Sequence, residues 1–251
     1  MARRRSTHRR RRGRFNWILK LIFLLLAIGA LIAAMTIFFR VESIEVEGES
    51  RYADADIVAA SGVEIEDNLF LMDKFTVQSD ITTQLPYLET AELNRKLPHT
   101  IVLNITEADC AARIDAGGES WLMSRKGKLL EKGAAAPAGC CTVTGAALVA
   151  PELGGEISFG EEQSFKKTAL LELLQQAKAM GVAADILSVD LSDDTALHFA
   201  FLGRFEVKLP WNADIAYKLK SLIATVDYLE DNETGEINLL VDGQARFIPY
   251  A

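Results

Sequence analysis

A run of 19 residues without a formal charge, residues 21–39, constrains the fold of this chain more than any other feature. As an α-helix with a rise of about 1.5 Å per residue, the run would be roughly 28 Å long, close to the hydrocarbon thickness of a bilayer. It has no polar stripe and follows a block of arginines, so it fits a buried helix of a soluble core less well. We predict a transmembrane helix.

A cleavable signal peptide is the alternative to a permanent anchor. The apolar region of a signal peptide is usually only about 7–15 residues long. The small residues Ala27, Ala30, Ala33 and Ala34 leave cleavage open, but the length of the run favours a signal anchor.

The charges on the two sides of this run predict its orientation. Residues 1–20 contain eight arginines and Lys20 but no acid, and such clusters stay in the cytoplasm. Residues 41–251 carry 17 of the 27 basic residues and all 35 acids, a formal charge of −18. We expect a single-pass type II protein of the cell membrane with an extracytoplasmic remainder. The arginines nearest the run are Arg9, Arg10, Arg11, Arg12 and Arg14.

The same basic run could instead bind nucleic acid or anionic lipid. Its position directly before an apolar run favours the role in topology, and attraction to lipid would accompany that role. We therefore expect no nucleic-acid partner.

The remaining residues can form one large domain or two small ones. Three cysteines, Cys110, Cys140 and Cys141, are too few for a disulfide-stapled scaffold. A bridge from Cys110 to either of the adjacent cysteines stays open, although we expect no structural disulfide.

The first part after the apolar run alternates between strand and helix patterns. Residues 41–46 alternate apolar and polar side chains, which predicts a strand. Two short helices follow, over residues 52–60 and then through Val77 and Ile81 to the breaker Pro86. Residues 88–96 and 100–107 read as two strands. The predicted order is strand, helix, helix, strand, strand.

A set of residues recurs in one continuous order over about 65 residues of this part. They are Val41, Ile44, Val46, Gly48, Ile57, Gly62, Val63, Asn68-Leu69-Phe70, Leu85-Pro86-Tyr87, Ala91, Arg95, Leu97-Pro98, Thr100 and Glu107. Together they resemble the membrane-proximal domain of bacterial FtsQ/DivIB cell division proteins. The resemblance implies a POTRA domain over residues 40–108.

The second part predicts a mainly antiparallel sheet with two amphipathic helices. One helix covers residues 165–180, and the other begins after a cap at Asn212. The dipeptide Asp242-Gly243 is a strong signal for a tight hairpin between the last two strands. The fold class is therefore α+β.

This part also resembles FtsQ/DivIB proteins, and the resemblance implies their β domain over residues 109–250. The matching residues are Trp121-Leu122-Met123, Gly127, Leu129, Val143-Thr144-Gly145, Pro151, residues 205–209, Lys218-Leu219, residues 235–239 and residues 246–249.

Side chains for catalysis or metal binding do not cluster in the sequence. His99 and His198 stand alone, and the cysteines form no CxxC pair. The sequence contains no nucleophile elbow and no phosphate-binding glycine loop. The acid pairs Glu161-Glu162 and Asp193-Asp194 lie in predicted turns, where a solvated surface role is typical. We expect no catalytic residue, cofactor or metal.

We expect function through binding, because an edge strand offers unpaired backbone groups to which partners add a strand. The resemblance implies that the β domain binds the coiled-coil division proteins FtsL and FtsB/DivIC through its last strands, and that the POTRA domain contributes to divisome recruitment. Carried over to this sequence, the partner-binding residues are Leu239, Val241, Gly243, Phe247 and Ile248. Alternatively, several of these side chains simply face the core.

The resemblance implies a non-catalytic scaffold that couples the division machinery to septal peptidoglycan synthesis. Two other functions stay open. One is a POTRA-type protein that handles translocating polypeptides, although such proteins usually carry tandem POTRA domains or a membrane barrel. The other is a membrane-anchored cell-wall enzyme with its site within residues 109–250.

Overall fold

The computed structural model describes residues 12–116 and 118–250. Within them the helices and strands follow one another as α1 (Arg12–Phe38), β1 (Ser43–Glu47), α2 (Asp54–Ser61), α3 (Lys74–Gln84), β2 (Leu88–Lys96), β3 (Thr100–Glu107), β4 (Cys110–Ala116), β5 (Glu119–Ser124), β6 (Leu129–Lys132), β7 (Cys141–Thr144), α4 (Ser164–Ala179), β8 (Ile186–Asp190), β9 (Ala196–Phe201), β10 (Phe205–Pro210), α5 (Ile215–Val226), β11 (Gly235–Asn238) and β12 (Arg246–Pro249).

Helix α1 covers the predicted membrane span up to Phe38. Among the described helices, it is the one that is long and apolar enough to cross a bilayer, over Trp17–Phe38 with a mean hydropathy of 2.8. All residues of this stretch are exposed in the protein. An apolar helix that is exposed all round needs an apolar environment, which fits a single membrane span.

A three-stranded sheet and two helices follow α1. Strand β3 is central, with β1 parallel on one side and β2 antiparallel on the other. Ile101, Leu103 and Ile105 alternate along β3 and are buried, as the period-two pattern predicts. Ile57 of α2 and Ile81 of α3 complete the core on that face. The predicted order of elements is confirmed.

The second sheet has nine strands in the order β12-β11-β10-β9-β8-β7-β4-β5-β6. Three neighbouring pairs are parallel, and the others are antiparallel. Helices α4 and α5 cover one face, and their apolar side chains share one core with the sheet. The prediction of an α+β fold with a mainly antiparallel sheet and two helices is confirmed.

The predicted cap of α5 is wrong, because the helix begins two residues later than the sequence suggested. Asp214 is the cap, and its carboxylate accepts a hydrogen bond from the N–H of Tyr217 at 2.9 Å. Asn212 lies in a turn closed by the N–H of Ala213 and the carbonyl of Pro210. Asn and Asp are almost equally good caps, so the sequence alone does not choose between them.

Contacts across the junction hold the two sheets together. Lys128 is buried, and its Nζ donates to the carbonyls of Thr82 and Leu88, both at 2.7 Å. Burial, together with a hydrogen bond of 2.5 Å from the Tyr87 hydroxyl to Glu131, raises the pKa of Tyr87 to about 12. A small apolar cluster lies beside these contacts, formed by Ala108, Leu122 and Leu130.

The three cysteines are free thiols. The sulfur of Cys140 lies 3.0 Å from that of Cys110, whereas Cys141 points into the core. Burial raises the pKa of Cys141 to about 12 and also raises the pKa of Cys110. Of the two pairings that the sequence leaves open, the geometry brings together Cys110 and Cys140.

Candidate partner-binding edge

The candidate site is the free edge of the nine-stranded sheet, formed by β12. Within the described residues, β12 pairs with β11 and with no other strand. The N–H of Tyr250 donates to the carbonyl of Thr234 at 2.9 Å. Because an antiparallel ladder alternates, the backbone of Ile248 then faces β11 and that of Phe247 faces outward. A partner strand would meet these outward N–H and C=O groups.

Two residues suit β12 to an edge position. Pro249 sits where an N–H would face outward, so its missing donor removes no hydrogen bond to β11. Gly235 lies opposite Pro249, and a Cβ on Gly235 would overlap the backbone oxygen of Ile248 and lie 2.6 Å from the Phe247 ring. The close approach of β12 to β11 therefore requires glycine at this position.

The structure divides the five predicted partner-binding residues into two groups. Leu239 is 1% exposed, and Phe247 packs edge-on against a phenylalanine of β10, so both serve the core. Val241 and Ile248 are 57% and 39% exposed, and Gly243 lies in a turn with φ of 71°. The second group is accessible at the end of the sheet.

The predicted tight hairpin at Asp242-Gly243 is wrong. Strand β11 ends at Asn238, and residues 239–245 form a longer connection to β12. The side-chain oxygen of Asn238 accepts a hydrogen bond from the N–H of Leu240 at 3.1 Å. This local bond competes with the ladder and turns the chain away before a two-residue turn can form.

Lys218 of α5 fixes this connection. Its side chain is 1% exposed, and Nζ donates to the carbonyls of Leu239 at 2.7 Å and Val241 at 3.2 Å. Asp242 adds a carboxylate oxygen at 2.8 Å. A buried ammonium needs such partners, because its removal from water is costly. This role of Lys218 was not predicted from the sequence.

A cavity of about 250 Å³ lies between α5 and the connection. Tyr217, which is 49% exposed, stands at this cavity. The chain enters β12 directly after the cavity, so a partner on the edge could place a side chain there. The other residues that line it include Ser221, Thr225, Gly243, Gln244 and Ala245.

The face of the sheet opposite the helices carries polar pairs close to the edge. Lys208 contacts Glu236 at 2.8 Å; the hydrogen bond between them raises the pKa of Lys208 and lowers that of Glu236. The hydroxyl of Tyr250 donates to Glu206 at 3.1 Å, and Glu206 lies 3.3 Å from Nδ1 of His198. This face of the edge is thus mainly polar but includes Ile248, which lies opposite Glu236 in the ladder, whereas Phe247 faces the core on the other side.

The acid pair Asp193-Asp194 takes part in turn structure. Hydrogen bonds from the hydroxyl and N–H of Thr195 lower the pKa of Asp193 to about 2. Asp193 also contacts His198 at 3.0 Å. Within the residues that the structure describes, no group of three or more His, Cys, Asp or Glu side chains is placed to hold a metal ion.

The arginines predicted to set the membrane topology lie at the start of the chain. Arg9, Arg10 and Arg11 fall outside the described residues, while Arg12 and Arg14 belong to the first turns of α1. Their effect on topology stays a prediction.

The segment with the first sheet is similar to a known protein family. Residues 39–108 match the family described as "POTRA domain, FtsQ-type". A cell division protein FtsQ from Corynebacterium glutamicum is 29% identical over 129 residues, which are 51% of this chain and 57% of that protein. A cell division protein DivIB from Clostridium tetani is 30% identical over 95 residues, which are 38% of this chain and 36% of that protein.

Among solved structures, the chain matches the major extracytoplasmic domain of the trans isomer of DivIB from Geobacillus stearothermophilus. The match covers 51% of this chain and 98% of the other, at 16% identity and a TM-score of 0.32. The aligned segments span only about a third to just over half of the two curated relatives named above. The resemblance first seen in the sequence is confirmed: residues 39–108 match the FtsQ-type POTRA family, in a chain similar to the FtsQ and DivIB cell division proteins.

Proposed function

We propose that this chain is a membrane-anchored, non-catalytic scaffold of the bacterial divisome. In this proposal, residues 1–20 are a cytoplasmic tail, residues 21–39 the span, residues 40–108 the POTRA domain and residues 109–250 the β domain. Both domains lie on the extracytoplasmic side, at the division septum. The partners are FtsL-like and FtsB/DivIC-like proteins, and the scaffold links them to septal peptidoglycan synthesis.

The free β12 edge carries this proposal. A partner strand that pairs with β12 would form three or four backbone hydrogen bonds, each with a net value of about 0.5–1.5 kcal/mol. Such bonds contribute about 2–6 kcal/mol, which orients a partner but does not bind it tightly. The exposed side chains of Val241 and Ile248 and the cavity beside α5 offer the additional apolar contact.

The proposal is tested by titration of the full-length chain in lipid nanodiscs with the extracytoplasmic segments of the FtsL-like and FtsB/DivIC-like proteins from the same genome. Two variants address the edge. A chain that stops after Asp242 lacks β12, and Gly235→Ala displaces β12 without shortening the chain. Tyr228→Ala is the control, because Tyr228 is 91% exposed and lies outside the strands.

Saturable binding by the parent and by the control, with loss in both edge variants, supports the scaffold and the site together. Circular dichroism must show that the variants are folded. If binding persists in both variants, the scaffold proposal stands, but the binding site lies in the POTRA domain or on an earlier strand. If the folded parent binds neither segment, the scaffold proposal is wrong, and a role in handling polypeptides is favoured instead.

A further inference from the structure

Four apolar side chains are exposed within residues 65–75, the segment whose loop is bonded to the end of α1. Ile65, Phe70, Leu71 and Phe75 are 57%, 46%, 79% and 69% exposed. We call them the membrane-proximal patch. Large exposed apolar side chains that lie together mark a surface that contacts something apolar.

The loop that carries the patch is bonded to the last turn of α1. The N–H of Leu69 donates to the carbonyl of Phe39 at 3.0 Å. The side chain of Asn68 donates to the carbonyl of Thr36 at 3.5 Å, inside the helix. The rings of Phe39 and Phe70 pack edge-on with 5.0 Å between centroids. The patch therefore cannot move far from the end of α1.

This attachment determines what covers the patch. If α1 spans the bilayer, Thr36 and Phe39 lie where it leaves the hydrocarbon. Leu71 is two residues beyond Leu69, hence within about 8 Å of it. We propose that the membrane-proximal patch inserts into the interface of the same bilayer, in the leaflet from which α1 emerges. The domain then rests on the membrane instead of swinging freely on its anchor.

The charges around the patch indicate what drives the insertion. Lys74 lies over the Phe75 ring, 4.9 Å from its centroid, and Arg40 lies 3.9 Å from Glu66. Asp73 caps α3, and residues 64–75 carry four acids and one lysine beside the apolar side chains. A surface of mixed charge gains little from anionic lipid, and the burial of apolar side chains supplies the driving force.

Fluorescence quenching by brominated lipids tests the insertion with the full-length chain, at one chain per nanodisc. Leu71→Trp is introduced in a Trp17→Phe background, which removes the tryptophan of α1. Trp121 and Trp211 remain in both parent and variant and provide the baseline. Tyr228→Trp in the same background is the matched control, because Tyr228 is 91% exposed and belongs to the other domain.

We expect lipids brominated near the headgroup end of the acyl chain to quench Leu71→Trp well beyond the parent and to leave Tyr228→Trp unaffected. The quenching should persist in purely zwitterionic lipid and at high salt. Equal quenching of the parent and Leu71→Trp overturns the proposal and leaves the patch free for a protein partner. Quenching of both added tryptophans overturns it as well, because contact would then not be confined to the patch.

The inference rests on the membrane span and not on the division partners. Trp17 in the unsubstituted chain reports the span directly, since the same lipids quench it only if α1 lies in the bilayer. A failure of the span and a failure of the patch therefore give different results.

Discussion

The buried ammonium of Lys218 leads to the sharpest prediction about the candidate site. Lys218→Met keeps most of the side-chain volume but removes the donor to the carbonyls of Leu239 and Val241. The connection between β11 and β12 then has no charged group from α5 to hold it. We expect lower stability and weaker binding of any partner that pairs with β12.

The magnitude follows from the contacts. A hydrogen bond from a charged donor contributes about 1.5–3 kcal/mol, so two carbonyl bonds give roughly 3–6 kcal/mol. Methionine avoids the desolvation cost of a buried ammonium, and this offsets part of the lost stability. The contact with Asp242 adds little, because that carboxylate is 94% exposed. We expect a net loss of about 2–4 kcal/mol, or a fall in Tm of roughly 4–16 °C.

Thermal unfolding and partner titration are measured on the same preparations. Lys166→Met is a matched control. Lys166 lies on α4, is 2% exposed, and its ammonium bonds to the carbonyl of Leu191 at 2.8 Å and to Asp194 at 2.7 Å. It should lose stability but keep partner binding. Lys220→Met, at an exposed position of α5, should change neither. If Lys218→Met and Lys220→Met unfold at the same temperature, the reasoning about Lys218 is refuted.

Three further predictions concern the junction, a turn and a thiol. Lys128→Met leaves the carbonyls of Thr82 and Leu88 without their donor. Urea unfolding should then show a free energy of unfolding lower by about 2–4 kcal/mol. An unchanged unfolding midpoint would contradict the role of Lys128 at the junction. The pKa of Asp193 is lowered to about 2. Its ionised carboxylate therefore contributes to stability above the ordinary pKa of about 3.9, and this contribution is lost as the pH falls towards 2. An NMR titration of the Asp193 carboxyl carbon that gives an ordinary midpoint would refute this prediction. Burial raises the pKa of Cys141 to about 12, so iodoacetamide at about pH 8 should label Cys141 in urea but not in the folded chain, as mass spectrometry can show.

Helices and strands that are specified by patterns of neighbouring residues were predicted well from the sequence. The bounds of β2 and β3 match the predicted ranges, because the alternation in β3 and the turn at Leu97-Pro98 act on neighbouring residues. The order of the nine-stranded sheet depends on pairings between distant residues. Strand β7, for example, lies between β4 and β8 and is parallel to both. No local pattern specifies such a pairing.

The candidate site was predicted as a surface but not in its details. That the last strands form an edge of the sheet was inferred from their order in the sequence. The five predicted partner-binding residues came from the resemblance to FtsQ/DivIB proteins. The shape of the connection was missed because it depends on Lys218, which hydropathy assigns to the surface. Its spacing offered a signal: residues 215, 218, 219 and 222 recur as one helix face, and all four are buried. A lysine within an apolar stripe predicts a buried carbonyl partner.

The strand order of the second sheet also separates the POTRA domain from the β12 edge. Strand β6 ends the sheet on the side where Lys128 meets the POTRA domain, and β12 ends it on the other side. With about 4.8 Å between neighbouring strands, eight intervals separate the two ends by roughly 38 Å before twist. A straight α-helix needs about 25 residues to cover that distance. Because twist and curvature shorten the direct path, the number of strands sets an upper limit of roughly 38 Å on the distance that a partner bound at both ends of this sheet has to cover.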